Sequence, residues 1–203
     1  MGWRTGLRAG DLLIAIALPD EEQGVLRAAG HDVLFTGVGK VNAAAALARR
    51  LAQRRHADRV PRLVVNFGTA GSRHFDTHAL VGCDRFVQRD MDVSPLGFPR
   101  GHTPYDDHGG ELAFPAFFAQ LPAGRCGTGD SFETGPVALA CEVVDMEAYA
   151  LAKVCRLEGI DFACAKYITD GADHAAAGDW QSNLPRAAAG FLALLETLRA
   201  PTA

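Results

Sequence analysis

The sequence lacks the features by which nucleic-acid-binding proteins are recognised. Its 203 residues carry a formal net charge of −4, and lysine and arginine form no basic run. Basic and aromatic residues do not alternate along any stretch of the chain. Because binding to a phosphate backbone needs clustered basic side chains, we expect no nucleic acid among the partners.

Signals for export or membrane insertion are also missing. The apolar run at residues 12–18 ends at Pro19-Asp20-Glu21-Glu22, which makes it too short to span a bilayer, and no small-residue cleavage site follows it. The chain has five cysteines, at Cys83, Cys126, Cys141, Cys155 and Cys164. Their number is odd and no two form a C-x-x-C pair, which indicates reduced thiols and not a disulfide framework. We therefore expect a soluble, cytoplasmic protein with no membrane partner.

The size and composition are those of one globular domain. Hydrophobic residues make up 48% of the chain and charged residues 22%, which is ordinary for a folded domain. No internal repeat, low-complexity tract or linker divides the sequence, and its length suits a single core. Residues 1–203 are therefore predicted to form a single domain.

Apolar runs that alternate with helical patterns predict an α/β fold. Short, often β-branched runs bounded by glycine, proline or charge indicate buried strands at residues 12–18, 33–35, 63–67, 83–87, 141–144 and 162–168. Helical patterns lie at residues 41–54, 147–158 and 184–199. This alternation favours a mixed, mostly parallel central sheet flanked by helices. Residues 90–110, with three prolines and four glycines, are predicted to form a long irregular loop.

Polar residues follow four of the predicted strands, at the sheet edge where open α/β proteins bind ligands. Three strand ends carry carboxylates, at residues 20–22, 145–147 and 170–173, and the fourth carries the glycine-rich turn at 66–71. Each has a plainer interpretation. For Asp145 we favour capping of the following helix, and Glu147 on its own is more typical of a first helical turn. His74 and His78 have the spacing of a ligand pair, but no third ligand motif lies nearby, so no metal is expected.

Taken together, five segments resemble the methylthioadenosine/S-adenosylhomocysteine nucleosidases of the nucleoside phosphorylase/nucleosidase superfamily. They occur in the family's order between about residues 12 and 173: TGVGKVNAA at 36–44, VNFGTAG at 65–71, GTGDSF at 127–132, VDMEAYALA at 144–152 and ITDGAD at 168–173. The resemblance implies a nucleoside phosphorylase-like fold. It also implies an enzyme that hydrolyses the N-glycosidic bond of a purine nucleoside, most often a 5′-modified adenosine, without any cofactor.

The resemblance assigns roles residue by residue. Glu21 best matches the acid that positions and activates water, with Glu22 as a close rival, and Asp170 matches the acid that protonates the purine. The remaining matches are binding residues: Met146 and Glu147 for the ribose, Phe132 for stacking on the base, and Thr69, Ala70 and Gly71 for the pocket wall. Breaking this bond through an oxocarbenium-like state needs a protonated leaving group, a carboxylate near the sugar and a prepared nucleophile.

The nucleophile is the main question that the resemblance leaves open. Phosphorylases of the superfamily carry arginines in the first turn and before the glycine-rich turn, where this sequence has Asp20-Glu21-Glu22 and Val65-Asn66. An acid there repels phosphate, which favours hydrolysis, although Lys40, Arg73 and Arg89 remain candidate cations. The alternatives are a phosphorylase and a non-catalytic nucleoside-binding relative. The resemblance further implies a homodimer, with residues 92–98 placed where relatives present a segment to the neighbouring subunit.

Overall fold

The computed structural model describes residue 7 and residues 9–135, 137–172 and 176–199, and it contains one mixed sheet of eight strands with helices on both faces. The strands are β1 (Leu12–Ile16), β2 (Val33–Phe35), β3 (Leu63–Gly71), β4 (Leu80–Gln88), β5 (Glu111–Ala113), β6 (Ala123–Thr128), β7 (Val143–Asp145) and β8 (Asp161–Asp170). The helices are α1 (Val25–Ala28), α2 (Lys40–His56), α3 (Ala148–Glu158) and α4 (Ala176–Arg199), with 3₁₀ turns at Ala9–Asp11, Pro19–Glu21 and Ser94–Leu96.

The strand pairing confirms the predicted mixed, mostly parallel sheet. Parallel pairs join β1 to β2 and β3, β3 to β8, β4 to β6, and β6 to β7. Antiparallel pairs join β4 to β5 and β8, and the end of β3 to β7. The strands β3, β8, β4, β6 and β7 therefore pair in a closed circuit. This circuit brings the ends of β3, β7 and β8 to one place.

Alternating side chains of the buried strands pack against helices on both faces of the sheet. On one face, residues of β1 such as Leu13 join Leu47 of α2 and Leu151 of α3. On the other face, Ile14 of β1 joins a cluster in which Phe67 of β3 stacks on Phe191 of α4, with ring centroids 4.8 Å apart. Burial on both sides explains why these strands are continuous apolar runs in the sequence.

Two strands escaped prediction. β6 has the sequence Ala-Gly-Arg-Cys-Gly-Thr, which contains no apolar run, and β5 has only three residues. Both are formed by pairing with β4, so ladder hydrogen bonds and neighbours decide their conformation and not their own propensity. The predicted loop at residues 90–110 is irregular apart from the turn Ser94–Leu96. The predicted motif at 168–173 ends with Asp173, which lies outside the described residues.

Candidate active site

A cavity of about 370 Å³ opens at the carboxyl ends of β1, β3, β7 and β8. All residues that the sequence analysis assigned to a site line it: Glu21, Thr69, Ala70, Gly71, Phe132, Met146, Glu147 and Asp170. Of the remaining lining residues, the sequence had indicated only Arg89, as a candidate cation, and Asp145, as a helix cap: Ala17, Leu18, Val38, Arg89, Ser131, Glu133, Val144, Asp145 and Thr169. Segments that are distant in the chain therefore meet around one space.

Glu21 faces this cavity from the 3₁₀ turn that follows β1. Pro19 begins the turn, and its fixed φ suits a first helical position. The Oε1 atom of Glu21 accepts hydrogen bonds from the backbone N–H and the hydroxyl of Thr69, both at 2.8 Å. Its Oε2 atom accepts a third from the N–H of Leu18 at 3.1 Å. The carboxylate of Glu21 is thus held in a defined position against the glycine-rich turn of β3.

Glu22 points away from the cavity, although it is the next residue in the chain. Its Oε1 atom pairs with Nε of Arg27 at 2.7 Å, and its Oε2 atom accepts from the N–H of Leu26 at 3.0 Å. Burial opposes ionisation, but these partners hold the pKa of Glu22 below its usual value. The geometry therefore distinguishes the two glutamates, one at the cavity and one that stabilises the start of α1.

Asp170 is the last residue of β8 and is buried in the cavity wall. Its Oδ2 atom accepts from the hydroxyl of Thr169 at 2.8 Å, and its Oδ1 atom accepts from the N–H of Ala172 at 2.9 Å. A Cβ on Gly71 would lie 2.7 Å from that Oδ1 atom. Glycine at position 71 therefore allows the carboxyl group of Asp170 to approach the backbone of β3.

Asp145, in the cavity wall, forms a buried ion pair with Lys166, with 2.8 Å between Oδ2 and Nζ. Asp145 also accepts from the N–H of Ala148 at 2.8 Å, which confirms that it caps α3. Burial opposes the charge of Asp145, but Lys166 holds the pKa of this carboxyl below its usual value. In return, Asp145 keeps the pKa of Lys166 well above its usual value against the effect of burial.

Lys166 was not predicted as a site residue, although it is a single charge inside an apolar strand. A Cβ on Gly68 would lie 3.2 Å from Nζ of Lys166 and 3.5 Å from Oε1 of Glu21. The ammonium group of Lys166 and the carboxylate of Glu21 therefore both lie close to the backbone at Gly68. A lone lysine in a buried run indicates a partner, because an unpaired charge there is costly.

Glu147 lies at the start of α3 with its carboxyl group in the cavity. Its Oε1 atom accepts from the N–H of Gly39, in the loop before α2, at 2.8 Å. Burial, followed by the negative charge of Asp145, raises the pKa of Glu147 to about 7. Two neighbouring acids thus differ in their environments, since only Asp145 has the lysine as a direct partner.

The raised pKa of Glu147 predicts a loss of stability with rising pH. The unfolded chain releases this proton near pH 4.5 and the folded chain near pH 7, so the free energy of unfolding should fall between these values. Denaturant unfolding from pH 4 to pH 8 measures this slope. In Glu147→Gln the slope of the free energy of unfolding against pH should be smaller by the contribution of about one bound proton. Glu158→Gln, at the far end of α3, should retain the full slope. A slope in Glu147→Gln equal to that of the unmodified protein would contradict the prediction.

The basic residues considered as phosphate ligands all have protein partners. Lys40 pairs with Asp90 at 2.5 Å, Arg73 donates to the carbonyl of Ala172 at 3.0 Å, and Arg89 pairs with Glu133 at 2.8 Å. Arg89 is the one basic residue among the described residues that line the cavity.

The structure shows no metal-binding arrangement in the part of the chain that it describes. No group of three or more His, Cys, Asp or Glu side chains there could hold a metal ion. The ring nitrogen Nδ1 of His78 instead lies 2.9 Å from the hydroxyl of Tyr167. Nor is any described helix long and apolar enough to cross a membrane.

Comparisons with known proteins agree with the resemblance seen in the motifs. Residues 28–199 match the model of the phosphorylase superfamily. A 5′-methylthioadenosine/S-adenosylhomocysteine nucleosidase of Marinomonas sp. (strain MWYL1) is 33% identical over 70% of this chain and 69% of its own length, and one of Bacillus cereus (strain B4264) is 30% identical over the same shares.

Solved structures share the fold. A futalosine hydrolase mutant of Helicobacter pylori superposes with a TM-score of 0.79 at 20% identity, covering 92% of this chain and 97% of the other. The S-adenosylhomocysteine nucleosidase of Streptococcus pyogenes in complex with 5-methylthiotubericidin also gives 0.79, at 22% identity, covering 94% and 97%. With most of its length matched by the family model, this chain belongs to the phosphorylase superfamily.

Proposed function

We propose that this protein hydrolyses the N-glycosidic bond of a purine nucleoside, with a 5′-modified adenosine as its substrate class. The observation that carries the proposal is the meeting of three carboxyl groups, those of Glu21, Glu147 and Asp170, around one cavity. The relatives from Marinomonas sp. and Bacillus cereus support the reaction class, since both are named as nucleosidases of methylthioadenosine and S-adenosylhomocysteine.

Each carboxyl group suits a different part of the reaction. The purine leaves as a neutral base once it is protonated, and Asp170 is the proposed acid. Positive charge develops on the ribose in an oxocarbenium-like state, where Glu147 would accept hydrogen bonds from the sugar hydroxyls beside Met146. Phe132, half exposed at the cavity wall, would stack on the base. Thr69, Ala70 and Gly71 complete the wall near the bond that breaks.

Water is the proposed nucleophile, prepared by Glu21. The Oε1 atom of Glu21 already accepts two hydrogen bonds from Thr69, but its Oε2 atom accepts only the one from Leu18 and has a further lone pair that can accept from a water molecule. Phosphate would meet a carboxylate here, and the repulsion is about 1 kcal/mol at 4 Å in water and several times more in a dry cleft. Arg89, the basic residue of the cavity wall, is already paired with Glu133.

The assembly and the location are part of the same proposal. We propose a homodimer because Leu96, in the segment 92–98 that the resemblance places at a neighbouring subunit, is 74% exposed, and Tyr105, later in the same loop, is 95% exposed. A cytoplasmic location is proposed because all five cysteines are free and buried. The reaction as proposed uses no cofactor.

A panel of nucleosides incubated with and without phosphate tests the proposed function. Methylthioadenosine, S-adenosylhomocysteine, adenosine and inosine are the substrates, and chromatography identifies the free base and the sugar product. We expect free adenine and an unphosphorylated sugar, at a rate that does not depend on phosphate. A sugar 1-phosphate as the main product would assign a phosphorylase, and binding of adenine without turnover of any nucleoside would assign a non-catalytic relative.

A further inference from the structure

An ion pair that the proposed chemistry does not use, between Arg89 and Glu133, lies in the wall of the cavity. Glu133 and Val144 line both the site cavity and a second cavity of about 260 Å³. Ala172 also lines the second cavity, and its N–H donates to Asp170. Glu133 therefore lies at the end of the site where Asp170 is placed, and not at the end formed by Glu21 and Thr69.

Arg89 holds the loop that carries Glu133. Its terminal nitrogen Nη1 donates to the hydroxyl of Ser131 at 3.0 Å and to Oε2 of Glu133 at 2.8 Å, and Nη2 donates to the carbonyls of Gly129 and Ser131. A Cβ on Gly129 would lie 2.8 Å from Cζ of Arg89, so the guanidinium group packs directly on this glycine. These four bonds use every hydrogen of the two terminal nitrogens.

Arg89 consequently has no donor to offer a ligand in the cavity. The remaining group, Nε–H, is buried with no hydrogen-bond partner within the described part of the chain. Its surface is closed to water, so a ligand atom in the cavity cannot reach it. The guanidinium group of Arg89 therefore holds the loop at residues 129–133 in place, and Glu133 is the member of the pair that can contact a ligand.

Glu133 is a fixed acceptor with unused capacity. Its Oε2 atom is bonded to Arg89, and its Oε1 atom accepts from the N–H of Gly135 at 3.1 Å. Each oxygen of a carboxylate has a second lone pair, and the side chain of Glu133 retains 20% exposure. The group beside Phe132 thus presents acceptors to the cavity and no donor.

We propose that Glu133 selects 6-aminopurines over 6-oxopurines, with Arg89 as its positioning residue; this inference rests on the proposed function. With N7 of the purine at Asp170, the next group along the same edge of the base is the substituent at position 6. The amine of adenine donates a hydrogen bond there, and the oxygen of hypoxanthine or guanine accepts one. A carboxylate accepts a hydrogen bond from the 6-amino group and repels the 6-oxo group.

Matched nucleosides that differ only at position 6 test this selection. For the unmodified protein we expect kcat/KM for adenosine to exceed that for inosine by roughly 10- to 100-fold, the scale of one mispaired hydrogen bond. In Glu133→Gln the amide can donate to the 6-oxo group, so the ratio should fall at least ~10-fold. Glu142→Gln removes the same charge from the second cavity alone, where Glu142 accepts from the N–H of Arg125, and should retain the ratio.

Arg89→Lys separates positioning from a general structural role. Lysine keeps the charge but cannot make the four bonds of the guanidinium group. We expect Arg89→Lys to lower the adenosine-to-inosine ratio, and the double variant with Glu133→Gln to lower it no further than the larger single effect. A structural role would instead change both substrates equally, and the effects of the two variants would then be additive in free energy.

Binding of free bases makes the test independent of turnover, and the comparison of adenine with hypoxanthine in the unmodified protein needs no variant. By calorimetry the unmodified protein should bind adenine roughly 10-fold or more tightly than hypoxanthine. Equal affinities, or an unchanged ratio in a folded Glu133→Gln variant, would overturn the selection by Glu133. If no nucleoside is cleaved but adenine is still preferred and the preference is lost in Glu133→Gln, the proposed function fails and the inference about base selection stands.

Discussion

Asp170→Asn is expected to lower kcat for adenosine-type nucleosides by ~10²-fold or more, the scale of a lost general acid. The purine anion is a poor leaving group, and asparagine has no proton to give it. The backbone contact should survive, because the amide oxygen can still accept from the N–H of Ala172. Steady-state kinetics with methylthioadenosine and adenosine measure the loss, and thermal unfolding verifies that the variant is folded.

A change of leaving group sharpens the test of Asp170. The leaving group of a 4-nitrophenyl riboside, 4-nitrophenolate, departs without protonation. The kcat for hydrolysis of this substrate should therefore fall far less in Asp170→Asn than the kcat for adenosine. Asp161→Asn, the same substitution at the opposite end of β8, is the matched control and should keep normal kcat on both substrates. Near-normal adenosine turnover in a folded Asp170→Asn variant would remove this residue from the role of acid.

Glu21→Gln should lose ~10²- to 10⁴-fold in kcat, the usual range for a catalytic base, while Glu22→Gln remains close to the unmodified protein. Glutamine at position 21 keeps an oxygen that can accept from Thr69, but it cannot take a proton from water. Glutamine at position 22 weakens the pair with Arg27, which lies outside the cavity. The comparison is made under identical conditions by measuring release of free base.

The two glutamates also differ in the kind of damage that we expect. Glu22 is fully buried and bonded to the start of α1, so Glu22→Gln should lower the unfolding temperature with little effect on kcat. Glu21→Gln should lower kcat strongly with little effect on the unfolding temperature. If Glu22→Gln proved to be the inactive variant, hydrolysis would remain the proposed reaction and the assignment of the base would move by one residue.

Much of the site was predictable because the polar residues of the site follow directly after the parallel strands of the sheet. Buried parallel strands are recognisable as apolar runs, and their carboxyl ends meet at one edge of the sheet. The residues after those runs, such as Glu21, Glu147 and Asp170, are therefore candidates on sequence grounds alone. All of them line one cavity.

The contacts that complete the site were not predictable, since they join residues far apart in the chain. Arg89 follows β4 and Glu133 follows β6, and nothing local indicates that they pair. The pair of Lys166 and Asp145 likewise depends on the closed circuit of strands that brings the end of β7 beside β8. Ion pairs of this kind depend on distance in space, to which spacing along the chain is no guide.

Hydrophobic runs and short motifs are local properties, so the class of fold, the family and the residues at the strand ends can be read from the amino-acid sequence. The tertiary structure is needed to see that Glu21 lines the cavity and Glu22 does not, since the two acids are neighbours in the sequence. The 3₁₀ turn after β1 directs one carboxylate to Thr69 on β3 and the other to Arg27 on α1. Successive side chains of a turn point in different directions, and the neighbours that each one meets belong to other elements of the fold.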